Sequence, residues 1–429
     1  MKKSIITVTL WLLGPVFAFV AFALHAPYLF FVSRLDAAMI FVASLLVLAF
    51  LIQQKSWRGI GGKLLILLWC LPPVSMLYAQ TAFWLSKRNV PRTEANAAYT
   101  LGQHFIIGYS SSAEVATLAE KGLIAGIYIT RHNIAGRTAE AIRSEISELQ
   151  VRRRAAGLPP LIVAADQEGG IVSHLSPLLT AQPALATFAD LPTDVRRERA
   201  EQMGRAQGEE LASLGVNLDF SPVVDLKPAT GHALDFNTLI DKRAISDDPN
   251  KVAEVALAYI RGLDAVGVRA TMKHFPGLGR VRADTHHFAA KLDAPLAELE
   301  ETDWRPFREV LKASNALMMV GHVTVTAADP DRPASHSKRV IDGIIRKKWN
   351  YQGVVITDDL VMGAVYNHFC TAVVEALNAG ADLLLVAYDG SQFYRAFDCA
   401  SDAFNRHELD VTALHDSEAR LKRAFAEFD

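Results

Sequence analysis

A chain of 429 residues exceeds one domain of average size, although a single α/β barrel with an appendage would fit. A formal net charge of −2 gives no basic surface for neutralising phosphates, so no nucleic-acid partner is expected. Three cysteines (Cys70, Cys370 and Cys399) without paired spacing exclude a disulfide scaffold and a cysteine-rich zinc site, leaving one optional bond, Cys370 to Cys399.

Hydrophobic residues make up 51% of the chain and concentrate at its N-terminus. Up to residue 86 the only charged residues are Lys2, Lys3, Arg34, Asp36, Lys55, Arg58 and Lys63, a net of +5, which leaves −7 for the remainder. Ile5 to Leu24 is an almost uninterrupted apolar run of the length a helix needs to cross a bilayer. Ala37 to Ile52 and Leu64 to Ala79 are somewhat short, but flanking Leu35 and the segment Thr81 to Leu85 allow extension or tilt. Residues 1–90 are therefore expected to form a membrane region of about three transmembrane helices. A cleaved secretory signal over Ile5 to Leu24 is the alternative, because Lys2 and Lys3 precede it and Ala21-Phe22-Ala23 offers small residues for cleavage. Lys2, Lys3, Lys55, Arg58 and Lys63 outweigh Arg34, Lys87, Arg88 and Arg92, so positive charge favours an N-terminus inside the cell. Either topology exports residues 91–429, and a multi-pass protein of the bacterial inner membrane is expected.

From Thr93 onward, short apolar β-prone runs alternate with amphipathic stretches. Eight runs stand out: His104 to Ile107, Leu123 to Ile129, Leu161 to Ala165, Val216 to Phe220, Val268 to Met272, Ala316 to Val320, Gly353 to Thr357 and Ala381 to Val386. Between them lie helix candidates such as Arg196 to Leu214, stopped by Gly215, and Lys251 to Leu263 after Asp248-Pro249. Eight β-α repeats within residues 91–429 predict a (β/α)8 TIM-type barrel. An open doubly wound sheet is the rival, yet Gly108-Tyr109-Ser110 lacks the spaced glycines of a dinucleotide site, so no nucleotide cofactor is expected.

The polar residues follow the strands. Asp166, Asp225, Lys273 with His274, His322 and Asp358 each stand past a strand's C-terminal end, where barrel enzymes carry their chemistry. Individually, Asp166 or Asp225 could cap a helix and His322 could be a satisfied core histidine.

Five segments sharpen this reading: Ala165-Asp166-Gln167-Glu168-Gly169-Gly170, Phe220-Ser221-Pro222-Val223-Val224-Asp225, Lys273-His274-Phe275-Pro276-Gly277, Asp284-Thr285-His286 and Val355-Ile356-Thr357-Asp358-Asp359-Leu360. With these, the chain resembles glycoside hydrolase family 3, in particular its single-domain bacterial β-N-acetylglucosaminidases. The resemblance implies a retaining exo-glycosidase (β-N-acetylhexosaminidase) that removes terminal N-acetylglucosamine from cell-wall or chitin-type glycans without a cofactor. It also implies Asp358 as the nucleophile, His286 as the general acid/base and Asp284 as the residue that orients it. Asp166, Arg243, Lys273 and His274 are implied as substrate contacts.

The chemistry is coherent without the resemblance. Glycosidic cleavage needs a group that traps an oxocarbenium-like centre and an acid for the leaving oxygen. A histidine can both donate and accept a proton near neutrality, and a carboxylate beside it can fix its tautomer. Asp284 and His286 follow a glycine-bearing stretch from Gly277 with no hydrophobic periodicity, which suggests a mobile flap. Alternatives stay open: Asp358 could cap the next helix; Asp284, His286 and His287 could hold a metal, although no fourth ligand is evident; Asp166, Arg243, Lys273 and His274 could be a salt-bridge network. The same site could serve a glycoside phosphorylase or transglycosylase, or a non-catalytic glycan-binding membrane protein. Two departures from the family bear on the pocket: Ile171 and His174 stand where relatives commonly have arginines, and Leu278 where a second histidine is usual.

Overall fold

The computed structural model describes residues 2–23, 37–229 and 237–426. Arg34, Leu35 and Asp36, used above for topology and span length, lie outside them. The chain divides into two compact units, Met1–Asn89 and Val90–Asp429.

The first unit contains helices Lys2–Phe22, Ala37–Gln53 and Ile60–Asn89. Its buried apolar core is small, built on Leu51, Leu65 and Trp69, and the Trp69 indole donates to the Leu10 carbonyl at 3.1 Å. Most of its large apolar side chains point outward, among them Leu12, Leu46, Leu67 and Val74. Among the described residues, two helices are long and apolar enough to cross a membrane, Ile5–Phe22 and Ile60–Arg92. The third of the expected spans, Ala37–Gln53, has 17 residues. At the α-helical rise it reaches about 25 Å against a hydrocarbon core of about 30 Å.

The second unit is an eight-stranded closed parallel barrel. Its strands are β1 (Phe105–Gly108), β2 (Gly126–Ile129), β3 (Ile162–Ala165), β4 (Leu218–Asp219), β5 (Arg269–Phe275), β6 (Leu317–Val320), β7 (Val355–Asp359) and β8 (Leu383–Val386). Each falls on one of the eight apolar runs, and β1 pairs with both β2 and β8, which closes the sheet and rules out the open alternative. Alternate residues fill the interior: Ile106, Tyr128, Ile162, Ala164, Leu218, Leu317, Met319, Ile356, Leu383 and Leu385 form one cluster. Leu421, with Ala424 and Phe425, packs against this cluster from the helix Val411–Phe425.

The connecting helices start and stop where their caps dictate. Asp248 accepts the Asn250 amide at 2.8 Å ahead of the helix Pro249–Asp264, and Gly215 ends Thr193–Leu214 at φ 90°, a left-handed position that glycine occupies without steric cost. Cys370 and Cys399 form a disulfide between the helices Phe369–Ala379 and Phe393–Asn405.

Two of the barrel strands depart from regular pairing. Ile356 and Asp359 of β7 face Leu383 and Leu385 of β8, so β7 holds one extra residue at Thr357-Asp358. Met272 and Phe275 of β5 face Met318 and Val320 of β6, so β5 holds one extra at Lys273-His274. Such bulges re-aim side chains at barrel rims.

Candidate active site

The bulge on β7 sends adjacent carboxylates to different work. Asp359 accepts the amides of Val361 (3.1 Å), Ala387 (3.1 Å) and Tyr388 (2.7 Å) and so fastens the turn after β7 to the end of β8. Burial pushes its pKa up to about 6 despite these donors. Asp358 accepts only the Asp359 amide, at 2.8 Å, among the described residues. Burial alone would raise its pKa; the His274, His322 and His286 rings and that amide pull it below the usual carboxylate value, so it stays ionised.

His322 buttresses this strand end. Its Nε2 donates to the Asp359 carbonyl at 2.9 Å, and its Nδ1 accepts from Ser335 Oγ at 2.7 Å. Both nitrogens are committed and burial lowers the pKa, so His322 is a satisfied, neutral core histidine.

The loop after β5 brings Asp284 and His286 to the same rim. Asp284 is fully buried and accepts the Asn237 amide (2.9 Å), the Thr238 hydroxyl (3.1 Å), the His286 amide (3.0 Å) and His286 Nδ1 (2.9 Å). Burial opposes its charge, but these donors and the His286 ring hold its pKa well below the usual carboxylate range. An ionised Asp284 can only accept, so His286 Nδ1 carries the hydrogen and Nε2 is the nitrogen left to exchange a proton. The His286 side chain is 40% exposed, which gives that nitrogen access to a substrate. In place of a loose flap, the structure shows a loop tied down at several points: Leu278 N to Asp225 (2.8 Å), Gly363 N to the His286 carbonyl (2.8 Å) and Ala364 N to the Thr285 carbonyl (3.3 Å). His287 Nε2 stands 2.6 Å from the Asn237 amide nitrogen, and no group of three metal-ligating side chains gathers among the described residues.

A buried ionic chain centred on Glu168 adjoins this loop, since Arg243 Nη1 donates to the Thr238 carbonyl at 2.9 Å. The Glu168 carboxylate takes Arg243 in a two-pronged contact (Nε to Oε2 3.0 Å, Nη2 to Oε1 2.6 Å) and Lys273 Nζ at 2.6 Å. Lys273 also pairs with Asp166, whose other oxygen accepts the Tyr128 hydroxyl at 2.7 Å. Burial alone would discharge these groups, yet their mutual attraction lowers the Asp166 and Glu168 pKa values and raises those of Lys273 and Arg243. His274 closes the chain. Arg243 Nη2, which can only donate, lies 3.2 Å from His274 Nε2, so Nδ1 carries the hydrogen given to buried Asp225 at 2.7 Å.

The structure therefore gathers Asp166, Arg243, Lys273, His274, Asp284, His286 and Asp358 on the C-terminal rim of one barrel. Asp225 positions His274 and the start of the loop instead of facing the opening. Sequence reasoning passed over Glu168, Tyr128, Asn237 and Thr238. A carboxylate followed by two glycines in Asp166-Gln167-Glu168-Gly169-Gly170 was the available sign for Glu168; nothing local marked the other three.

The family model for the glycosyl hydrolase family 3 N-terminal domain matches residues 98–424. A β-hexosaminidase of Xanthomonas campestris pv. campestris is 35% identical over 288 residues, 66% of this chain and 83% of its own length. One from Nitrosomonas eutropha is 34% identical over 251 residues, 57% of this chain and 70% of its own. Among solved structures, a family 3 β-N-acetylglucosaminidase from Paenibacillus sp. superposes with a TM-score of 0.71 at 28% identity, covering 77% of this chain and 62% of that one. A family 3 member from Mycobacterium smegmatis gives 0.68 at 28% identity, covering 78% and 98%. With a closed barrel whose polar residues converge on one rim and a family match over three quarters of its length, this chain belongs to glycoside hydrolase family 3.

Proposed function

We propose that the barrel is a retaining exo-β-N-acetylhexosaminidase that removes terminal N-acetylglucosamine from cell-wall or chitin-type glycans. Asp358 attacks the anomeric carbon while His286 Nε2 gives its proton to the leaving oxygen. The same nitrogen then takes a proton from the water that releases the sugar. Asp284 fixes the tautomer this requires. Asp166, Lys273 and Arg243 meet the sugar hydroxyls; His274, both of whose nitrogens are engaged, braces Arg243 from behind.

The observation that carries this reading is the division of labour at β7: Asp359 is spent on three backbone amides, which leaves Asp358 as the ionised carboxylate with coordination to spare. The names of the relatives point to the same substrate class. The test is turnover by the full chain, in detergent, of a panel of aryl β-glycosides. A preference for the N-acetylglucosaminide is expected; a preference for the glucoside would overturn the substrate class.

We further propose that the N-terminal helices hold the chain in the bacterial inner membrane with the barrel outside the cytoplasm. Outward-facing apolar side chains and the excess of basic residues in the first unit support this. So does the Cys370–Cys399 bond, since disulfides persist in oxidising compartments. A phosphatase fused after Asp429 should be active and a fluorescent cytoplasmic reporter dark; the reverse pattern would refute the topology.

A further inference from the structure

His174 directly follows the short antiparallel pair Gln167–Gly169 and Val172–Ser173 that comes after β3, and its backbone amide donates to the Asp166 carbonyl at 3.0 Å. Its ring sits beside Tyr128, with Nδ1 3.0 Å from the Tyr128 hydroxyl, which in turn lies 2.7 Å from Asp166 Oδ2. A phenol has one hydrogen. Lys273 keeps Asp166 ionised, so that hydrogen belongs to the carboxylate contact, and the Tyr128 oxygen can only accept from the imidazole. His174 Nδ1 therefore carries a hydrogen. Burial, with Lys273 and Arg131 nearby, keeps the ring neutral against the pull of Asp166 and Glu168. In a neutral ring with Nδ1 protonated, Nε2 is a bare lone pair. That nitrogen has no hydrogen-bond partner among the described residues, and the residue is only partly buried. The cluster belongs to the same rim as the carboxylates of β7, because Asp166 stands just past the C-terminal end of β3 in the same closed parallel barrel.

We propose that His174 Nε2 is a neutral hydrogen-bond acceptor of the sugar subsite, taking the hydrogen of one glycone hydroxyl and selecting an uncharged terminal hexosamine over one bearing a carboxylate. This deepens the hexosaminidase reading and rests on it. The chemistry differs from that of an arginine at the same position: a guanidinium has donors and a charge but no lone pair, and it would reward an acidic substituent. The Tyr128 relay sets the tautomer, so the selectivity depends on a contact His174 makes away from the sugar.

The test is a cycle between enzyme and substrate, run with the full chain in detergent. The aryl N-acetylglucosaminide is compared with analogues lacking each ring hydroxyl in turn, on the wild type, His174→Leu, His174→Gln and His174→Arg. In the wild type, one deoxy analogue should lose about 10- to 100-fold in kcat/KM, the range expected for leaving a site acceptor unpaired. That penalty should shrink to within about threefold in His174→Leu, persist in part in His174→Gln, whose amide oxygen still accepts, and leave the other deoxy penalties in place. His174→Arg should gain relative rate on a glycone bearing an ether-linked carboxylate. Unchanged deoxy penalties in both His174→Leu and His174→Gln, or a wild-type preference for the carboxylate-bearing glycone, would overturn the proposal. If the wild type instead cleaves a different aryl glycoside, the hexosaminidase reading fails alone, and the same cycle on that sugar still decides the role of His174.

Discussion

The amide of Gly363 donates to the carbonyl of His286 at 2.8 Å, so the segment that follows the proposed nucleophile strand holds the residue proposed to carry the acid. A Cβ on Gly363 would come within 2.5 Å of the His287 carbonyl oxygen and 2.7 Å of its carbon, both backbone atoms that cannot swing aside. Gly363→Ala should therefore displace the loop at residues 285–287. A shift near 1 Å can cost about 100-fold, so kcat should fall by about 10- to 100-fold, together with a loss of thermal stability of about 1–3 kcal/mol from the overpacked contact. Wild-type kcat in Gly363→Ala would show that the clasp is incidental.

Asp358 and Asp359 should part company on mutation. Asp358→Asn should lower kcat by at least about 1,000-fold with the melting temperature nearly unchanged, as for loss of a covalent nucleophile. A fluorinated glycoside inactivator should label Asp358 in the wild type. Asp359→Asn presents an amide NH2 to backbone donors, so it should lower the melting temperature and loosen the turn at Ala387-Tyr388. Labelling of Asp359 or Asp225 would reassign the nucleophile.

Removal of the His286 imidazole should cost about 100- to 10,000-fold on a substrate with a poor leaving group. An activated aryl leaving group needs little protonation, so His286→Ala should hurt that substrate less and let the glycosyl-enzyme accumulate. Equal losses on both would make His286 structural. Asp284→Asn should give a milder version of the same defect, because it misorients the ring without removing it.

Asp284 also predicts a pH dependence of stability. Its folded pKa lies below its unfolded value, so its contribution is complete above the ordinary carboxylate range and disappears as pH falls through that range towards the folded value. Denaturation midpoints of the wild type and Asp284→Asn should differ most at neutral pH and converge in acid. A gap that widens in acid would contradict the assignment.

The Cys370–Cys399 bond spans a sequence separation of 29 residues, and loops of that order typically contribute about 2–4 kcal/mol. Cys370→Ser should lower the melting temperature, and reductant should abolish the difference from the wild type. If reductant leaves the wild-type melting temperature unchanged, the cysteines are not bonded in the protein.

The barrel was legible because its strands are buried on both sides and read as plain apolar runs, so eight runs became eight strands with ends displaced by at most three residues. Polar residues at the ends of those runs marked the rim for the same reason. Less visible were relations between distant segments. Nothing near Glu168 announces that it receives both Arg243 and Lys273, and nothing near Asp284 announces the donors Asn237 and Thr238. His322 and His274 look alike in sequence, each at a strand end, and only their partners separate a buttress of β7 from a brace for Arg243. The loop from Gly277 reads as loose because it has no periodicity, yet backbone hydrogen bonds, which leave no mark on side-chain pattern, tie it down.

The extra residues in β5 and β7 have a consequence for how the enzyme can change. Below each bulge, side chains alternate in phase with the neighbouring strands and fill the interior; above it, the phase is reset. The two ends of a strand thus answer to different constraints. Interior positions such as Met319 and Ile356 can trade volume among themselves without turning Lys273 or Asp358 away from the opening, while loss of one residue at Thr357-Asp358 would rotate the rim and leave the scaffold in register.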